Sequence, residues 1–584
     1  MSEQKVNNLR HTASHLLAAA VLDLYPKTKH TIGPVIENGF YYDFEFDQPI
    51  SDKDLAKIEK RMRQLLLKWG ELKGREVSEK EAQEIYQDNS YKLELIDELI
   101  KQKEKITVYE SGGFVDLCRG GHLEKPKQEL KHFKLLSVAG AYWRGDEKNK
   151  MLTRIYGTAF ENEKELMDYL EQIQLAKARD HKKLGKDLGL FTFSQLVGPG
   201  LPLWTPKGTL IRNLLDDYVW QLRCEKGYQK VAIPHITKKD LYVVSGHWDK
   251  FKNDLFKITT REGHVFAMKP MNCPHHTQIY NSQQRSYRDL PQRYAETTMV
   301  YRDEQTGELN GLSRVRCITQ DDAHVFCREN QLKQECLKIW EIIERFYKAT
   351  GFPQLKVRLS FHDPKKMQNY LGEEANWQKW EQELESWVKE RGVDYQVAIG
   401  EAAFYGPKID FIAKDSLQRE WQVATIQADR NMPKSFELAC INENGGHEPI
   451  VMIHAAIMGS IERFVSILIE HYAGAFPVWL SPVQVVVVPV SNKFIEQAQA
   501  VAEVLNNQAI RVETNLENKP LGAKIREQSL QKTPYLCIIG DKEVQLSTEK
   551  EFFVSVRTRE NKDLGQQKLS EFIKVLKQQI EKKT

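Results

Sequence analysis

No apolar run in this chain is long enough to cross a bilayer. The longest, VQVVVVPV (Val483–Val490), falls far short of the roughly 20 residues a spanning helix needs. No secretory h-region follows Met1, so nothing marks the chain for export. Its 8 cysteines (Cys118, Cys224, Cys273, Cys317, Cys327, Cys336, Cys440 and Cys537) show no paired spacing, which excludes a disulfide framework and leaves cytosolic thiols and metal ligands. Net charge is only +3, so no global basic field announces nucleic acid; an RNA partner would have to use local patches. Internal repeats and low-complexity segments are absent. These absences make the cytoplasm the default compartment and predict no membrane partner. A chain of 584 residues with 41% hydrophobic content can bury roughly three to four cores.

What is present divides into three regions and a connector. In residues 1–170, Leu9, Ala13, Leu16, Leu17, Ala20 and Leu24 recur at helical spacing and stop at Pro26. GFYYDFEF reads as a strand, Ser51 three residues before Asp54 as a capping signal for a second helix, and NKMLTRIYGTAF as the close of the region. A highly charged helix over 161–186 predicts a helical linker, residues 171–190. Residues 191–476 hold long strands without regular βαβ alternation, which predicts a mostly antiparallel sheet carrying helices. A turn over 474–482 separates residues 482–584, where strands and helices alternate as in a small α/β domain.

Three groups of residues could carry chemistry. In TTMVYRDEQTGELNGLSRVRCITQDDAHVF, two strand-like runs flank a polar loop with Gly307 and Gly311, a β-hairpin pattern. Alternation places Arg302 and Glu304 on one side of the first strand, and Arg314 and Arg316 on one side of the second. An arginine fork suits phosphate oxygens, and a nearby carboxylate can accept from an exocyclic amine. Taken alone, the same charges fit a solvated face of cross-strand ion pairs. Second, His11 and His15 stand at i, i+4 on one helix, and Cys118 and His122 repeat the spacing in VDLCRGGH, so spacing alone reads as a zinc site. Third come Cys273, His324 and His454; their separations nominate nothing, and each taken singly fits core packing.

The strings KPMNCP, GLSRVR, TQDDAH and GSIERF, in this order, with IPHI after a long helix (210–226), resemble the motifs of class II aminoacyl-tRNA synthetases, and specifically the threonyl-tRNA synthetase family. The resemblance runs along the whole chain. It implies a multi-domain α/β and α+β protein: an N-terminal α+β editing domain, a class II antiparallel-sheet catalytic core and a C-terminal α/β anticodon-binding domain. It further implies that Arg302 holds the ATP α-phosphate, Glu304 reads adenine, and Arg314 and Arg463 take the γ-phosphate, with Mg²⁺ bridging the phosphates. Cys273, His324 and His454 become ligands of one Zn²⁺ with a coordination position open for substrate. Gln320 and Tyr405 are expected at the amino group of threonine and Asp322 at its hydroxyl, while His247 resembles the histidine that assists transfer to the tRNA ribose. In residues 1–170 the resemblance reverses the spacing argument: His11, His15, Cys118 and His122, with Asp116, Tyr42 and Lys92, match a metal-free pocket that hydrolyses seryl-tRNA. Glu543 and Arg557, in GDKE and VRTRENKDLG, match the strands that read the anticodon. Threonine, ATP and tRNA(Thr) are the implied partners, and pairing through the first motif implies a homodimer.

Three departures stand out. Cys317-Ile318 replaces the Gly-Phe that precedes TQDD, which weakens stacking on adenine. RGGH replaces RGPH, loosening the turn before His122. The chain starts directly at the editing helix, where bacterial members carry a small ubiquitin-like domain, so that domain is expected to be missing. Two other readings compete: a synthetase-like regulator that has lost catalysis, disfavoured by the intact arginines and Cys/His/His set, and a prolyl or seryl ligase, disfavoured by that set and the editing residues.

Overall fold

The structure, a computed structural model, describes residues 3–146 and 148–584. They fall into two compact units, residues up to 175 and residues 176–584, and each is described by itself.

In the first unit, α1 (Glu3–Leu24) buries Leu9, Ala13, Leu16, Leu17 and Ala20 at the expected helical spacing. Its stripe packs on β1 (Gly39–Glu45), which continues through β2 (Met151–Phe160) to β3 (His132–Tyr142) in an antiparallel sheet. The Ser51/Asp54 box is present, but it caps a single 3₁₀ turn that leads into α2 (Leu55–Leu66). Helix α3 (Ser90–Gln102), capped by Asn89, and a small sheet containing β4 (Phe114–Leu117) complete the surroundings of the Cys/His residues.

The charged segment is two helices, α4 (Glu163–Ala178) and α5 (His181–Asp187), the second capped by Asp180. The segment expected as a helical linker, 171–190, is helical over 171–178 and 181–187, and the division between the units falls within it. His181 and Gly185 of α5 are buried, and His181 bonds to Glu470 inside the second unit.

That unit is built on a sheet of eight strands: β5 (Gln229–Lys230), β6 (Gln292–Tyr301), β7 (Cys317–Cys327), β8 (Leu355–Phe361), β9 (Tyr395–Ile399), β10 (Lys408–Lys414), β11 (Glu420–Asp429) and β12 (Val451–Ser460). Their spatial order is β5-β6-β7-β12-β11-β10-β8-β9. Only the outermost pairs, β5 with β6 and β8 with β9, run parallel, so the expectation of a mostly antiparallel sheet holds. Helices α6 (Pro206–Cys224), α7 (Leu332–Ala349) and α8 (Ile461–His471) press apolar faces into the core on one side of this sheet. Thr205 caps α6 at Gly208, and Pro206 opens it, where its missing N–H costs nothing. Residues from 485 onward form a five-stranded mixed sheet whose strands Val485–Pro489 and Tyr535–Ile539 run parallel.

Candidate functional sites

Strand β7 sets out most of the central site by alternation. Its even residues Ile318, Gln320, Asp322 and His324 share one face. The odd residues Thr319 and Asp321 reach to the other side, where they bond to Glu462 and Arg223, and Ala323 and Val325 join the apolar core. The neighbouring strand β12 carries a bulge: opposite Gln320 and Asp322 stand Ser460 and Ala456, so extra residues accumulate on β12. Asp321 fills the gap, its carboxylate accepting from the N–H groups of Ile457 (2.9 Å) and Met458 (3.0 Å). Burial pushes the Asp321 carboxyl up to about 7, against the pull of Arg223 and those two amides. After the bulge, Gly459 takes φ +68°, a left-handed value that glycine adopts without strain. Ser460 then caps α8 by accepting from Arg463 N–H (3.2 Å), so Arg463 stands in the first turn.

Cys273, His324 and His454 come together, their ligand atoms all within 4.8 Å of one another and buried. His324 Nε2 lies 3.1 Å from His454 Nδ1, and the far nitrogens have partners of their own: His454 Nε2 is 3.0 Å from Asp429 Oδ2, and His324 Nδ1 is 2.7 Å from His276 Nδ1. Burial, with His276 and His454 nearby, holds His324 well below its usual value, so it stays a neutral imidazole, the state that ligates a metal. Asp429 and His276 thus orient the two rings from behind, as outer partners of metal-bound histidines do. The donor set fits zinc. Asp429 and His276 were not found from sequence; nothing in their spacing marks them.

Beside these ligands lies a cavity of about 450 Å³ lined by His247, Gln320, Asp322, Tyr405 and Arg302. Asp322 accepts from Asn272 Nδ2 at 3.0 Å, and Tyr405 bonds to Gln427 while its ring lies 4.9 Å from that of His454. Burial, with His454 and Arg302 adding to it, lowers His247 to about 3, so the ring is neutral at physiological pH. A larger cleft of about 840 Å³ adjoins, holding Glu304, Arg314, Ile318 and Arg463, and the two share Arg302 and Gln320. Trp421 also lines the cleft, its ring centre 5.6 Å from the Arg463 guanidinium, a residue that sequence reasoning missed.

The strand placement of the charged residues is corrected. Strand β6 ends at Tyr301 and β7 starts at Cys317, so Arg302, Glu304, Arg314 and Arg316 lie on the connection rather than on paired strands. Loop backbone, not alternation, aims them. Arg314 Nε donates to Glu304 (2.8 Å) and its Nη2 to Glu308 (3.0 Å), so the ion-pairing reading is realised inside the cleft.

In the first unit the seven expected residues also converge. His11 Nε2 lies 3.2 Å from His15 Nε2 and 3.5 Å from Cys118 Sγ, which in turn is 3.3 Å from His122 Nε2. Asp116 is the hub behind them. Its carboxylate meets Lys92 Nζ (2.5 Å), Tyr42 OH (2.5 Å), His15 Nδ1 (3.0 Å) and His30 Nε2 (3.3 Å). Burial alone would raise Asp116, yet Lys92, His30 and His15 hold it well below the carboxylate range. His15, which burial alone would lower, is raised to about 9 by Asp116 and Cys118. Burial likewise opposes ionisation of Cys118, but hydrogen bonds from His11, His122 and His15 bring it to about 3. The site therefore holds a thiolate against an imidazolium. Alkylation of Cys118 by iodoacetamide is expected to keep an even rate from pH 8 to pH 5, whereas an ordinary thiol slows about tenfold per unit below its pKa near 8.5. Peptide mapping of the alkylated residue checks this, and a tenfold-per-unit decline at Cys118 would overturn it.

The residues expected at the anticodon stand apart. GDKE is not a strand: Glu543 lies in the short helix Asp541–Leu546 and is buried. Its oxygens accept from Gly540 N–H (3.0 Å), Ser555 Oγ (2.8 Å) and Gln566 Nε2 (2.8 Å), so the carboxylate holds the sheet and helix together in this conformation. Arg557 is on the strand Phe553–Thr558 and donates to Asn561 (2.8 Å) and Asp563 (3.2 Å).

With this geometry in hand, comparison with known proteins decides the family. Residues 256–472 match the tRNA synthetase class II core domain (G, H, P, S and T), 484–579 an anticodon binding domain, and 106–156 the threonyl and alanyl tRNA synthetase second additional domain. The threonine–tRNA ligase of Porphyromonas gingivalis is 49% identical over 578 residues, covering 98% of this chain and 87% of that protein. That of Rubrobacter xylanophilus is 48% identical, covering 94% and 85%. The chain belongs to the threonine–tRNA ligase family. A crystal structure titled the RNA binding domain of threonyl-tRNA synthetase from Cryptosporidium parvum superimposes with a TM-score of 0.64 at 34% identity, over 68% of this chain and 98% of that one. This ligase has the class II catalytic core, the anticodon-binding domain and the additional domain of the family, and no described helix is long and apolar enough to cross a membrane.

Proposed function

We propose that this ligase activates threonine with ATP and Mg²⁺ in the paired cavities of the second unit, transfers it to tRNA(Thr), and clears serine in the first. The carrying observation is that Arg302 lines both cavities, the one beside Cys273, His324 and His454 and the one holding Arg314 and Arg463. A carboxylate in the first and an α-phosphate in the second meet at that guanidinium, which stabilises the charge that develops as they join. In this reading Glu304 accepts from the adenine amine and Ile318 covers its face, while Arg463 and Arg314 take the outer phosphate; all four line the larger cleft, which supports it. Gln320 and Tyr405 face the amino group of the substrate, and Asp322 can take the proton of its hydroxyl. Zinc, held by Cys273, His324 and His454, would supply a point that coordinates both amine and β-hydroxyl. His247, neutral and at the cavity wall, is read as the residue that assists transfer to the tRNA ribose, as a hydrogen-bonding partner of the ribose hydroxyl.

Valine lacks the hydroxyl and would leave a polar site unpaired, whereas serine lacks only a methyl, worth about 1–3 kcal/mol. Valine activation is therefore expected to fall about 10⁴-fold below threonine, and serine only about 10–200-fold. Pyrophosphate exchange with the three amino acids tests this, with zinc content and mass in solution measured on the same sample. A metal-free active enzyme, or valine accepted as well as serine, would sink the zinc reading. No threonine-dependent exchange at all would favour the regulator. We propose a cytoplasmic homodimer, supported by the exposed edge strand β5 and the exposed apolar residues Leu196 and Val197; a monomeric mass speaks against it.

The leak of serine gives the first unit its task. The Cys118 thiolate and His15 imidazolium satisfy one another's charge, and His122, which burial holds below its usual value, is the neutral imidazole that can take a proton from water without a metal. His11→Ala combined with Cys118→Ala is expected to let seryl-tRNA accumulate while threonyl transfer continues. Unchanged clearance of serine in that variant rules the editing assignment out.

A further inference from the structure

We propose that His181 is a positioning residue for ATP, the pin that fixes the loop carrying Arg314 to the helix carrying Arg463. Asp180, His181 and Glu470 form a third group with metal-ligand atoms in mutual reach, but a metal reading fails because both ring nitrogens of His181 are already used.

Leu312 N–H donates to His181 Nε2 at 3.1 Å. A backbone amide can only donate, so Nε2 must be the bare nitrogen, and the ring proton sits on Nδ1. That proton faces Glu470 Oε1 at 2.6 Å, and the backbone N–H of His181 donates to the same oxygen at 3.1 Å. Glu470 is held from behind by Arg419 Nη2 at 2.5 Å. Burial opposes the charge on Glu470, yet its bonds from His181 and Arg419 bring it to about 2, so it stays an acceptor. The result is one continuous chain of donors and acceptors, Arg419 to Glu470 to His181 to Leu312, with a single tautomer allowed.

The two ends of this chain lie where a nucleotide needs them. Leu312 is buried at the tip of the loop, two residues before Arg314, and Glu470 is on α8 two turns beyond Arg463. Gly311 shows how tightly the tip rests: it has φ +52°, and a Cβ there would come within 2.3 Å of His181 Nε2 and 2.7 Å of Lys182 Cγ. Lys182 adds a bond of 3.1 Å to Asn310 Oδ1. The otherwise irregular connection from 302 to 316 is thus anchored at its apex to the same helix that presents the opposite arginine. This role rests on the reading of Arg314 and Arg463 as nucleotide ligands.

Two substitutions separate the bonds. His181→Asn keeps a donor at the Nδ1 position for Glu470 and removes the acceptor for Leu312. His181→Gln places an acceptor oxygen at the Nε2 position. In His181→Asn the KM for ATP in pyrophosphate exchange is expected to rise about fivefold, the worth of one hydrogen bond, while kcat and the KM for threonine stay near those of the parent. Hydrogen exchange at 310–315 should accelerate while exchange in α8 does not, and His181→Gln should return both readings toward the parent. An unchanged ATP KM together with unchanged exchange at Leu312 would overturn the proposal, as would acceleration spread equally over α8. Absence of threonine-dependent exchange in the parent would count against the functional reading alone; the hydrogen-exchange comparison then still decides whether His181 pins the loop.

Discussion

Replacing Arg302 by glutamine is expected to lower threonine-dependent pyrophosphate exchange about 10²–10³-fold, the loss seen when one preorganised donor to a developing oxyanion is removed. The reason lies in its position. Arg302 follows the last residue of β6 and borders both cavities, and its buried Nε has no hydrogen-bond partner in the protein. A buried donor without a partner costs about 1–3 kcal/mol, so the fold bears that cost until a ligand relieves it. Phe251 lies under the guanidinium at 5.9 Å and limits where it can swing. Lysine should rescue little, because a point charge cannot span two oxygens as a planar fork does. The measurement is exchange kinetics alongside circular dichroism; an Arg302→Gln enzyme that folds and retains more than a tenth of the parent rate contradicts the assignment.

The largest expected effect on stability is in the first unit. Asp116→Ala is expected to destabilise it by about 3–5 kcal/mol, the range for removing one partner from a buried ion pair. The substitution leaves the ammonium of Lys92, 2% exposed, with Tyr42 OH at 3.3 Å as the remaining partner and removes the acceptor that faces His15 and His30. Thermal unfolding followed by limited proteolysis of residues up to 175 checks this, and a change below about 1 kcal/mol refutes the hub role. Acid should act in the same way on the intact protein. Asp116 lies below its unfolded value near 3.9, so its contribution is full above that pH and is lost as pH falls through the folded value. Cys118, at about 3 against about 8.5 unfolded, also loses its contribution as pH falls. His15 acts in the opposite sense: its contribution is full below about 6.5 and is lost as pH rises toward 9. Between about pH 6.5 and 8.5 the Cys118 and His15 slopes oppose, so stability of this unit should be nearly flat there and decline on the acid side.

How much of this was legible beforehand depended on whether the signal was local. Helix α1 could be read because its apolar spacing is written within a few residues. The Cys/His sets could be named only by resemblance, since Cys273, His324 and His454 are brought together by the sheet and by no spacing rule. Alternation failed at Arg302 and Arg314 because it presumes a continuous ladder, and beyond Tyr301 and Cys317 only isolated pairings remain, Arg302 N–H to the Arg316 carbonyl and the bridge of Asn310 with Arg314. GDKE was read as a strand, although Glu543 reaches back three residues to accept from the Gly540 N–H, one half of a capping box at the start of a helix. Asp321, Asp429, His276, Trp421 and His181 could not be found from sequence. Each acts through a partner distant in the chain, and a single buried acid or ring looks the same whether it supports a site or only fills a core.

Strand β7 carries a consequence for how this enzyme can change over time. Ile318, Gln320, Asp322 and His324 stand every second residue along it, a run of about 20 Å from the nucleotide wall to the metal ligand. Gain or loss of one codon inside that run would break the row in two, turning the residues on one side of the change to the far face of the sheet. Substitution is therefore the only small step open to it. The row is inherited as one block.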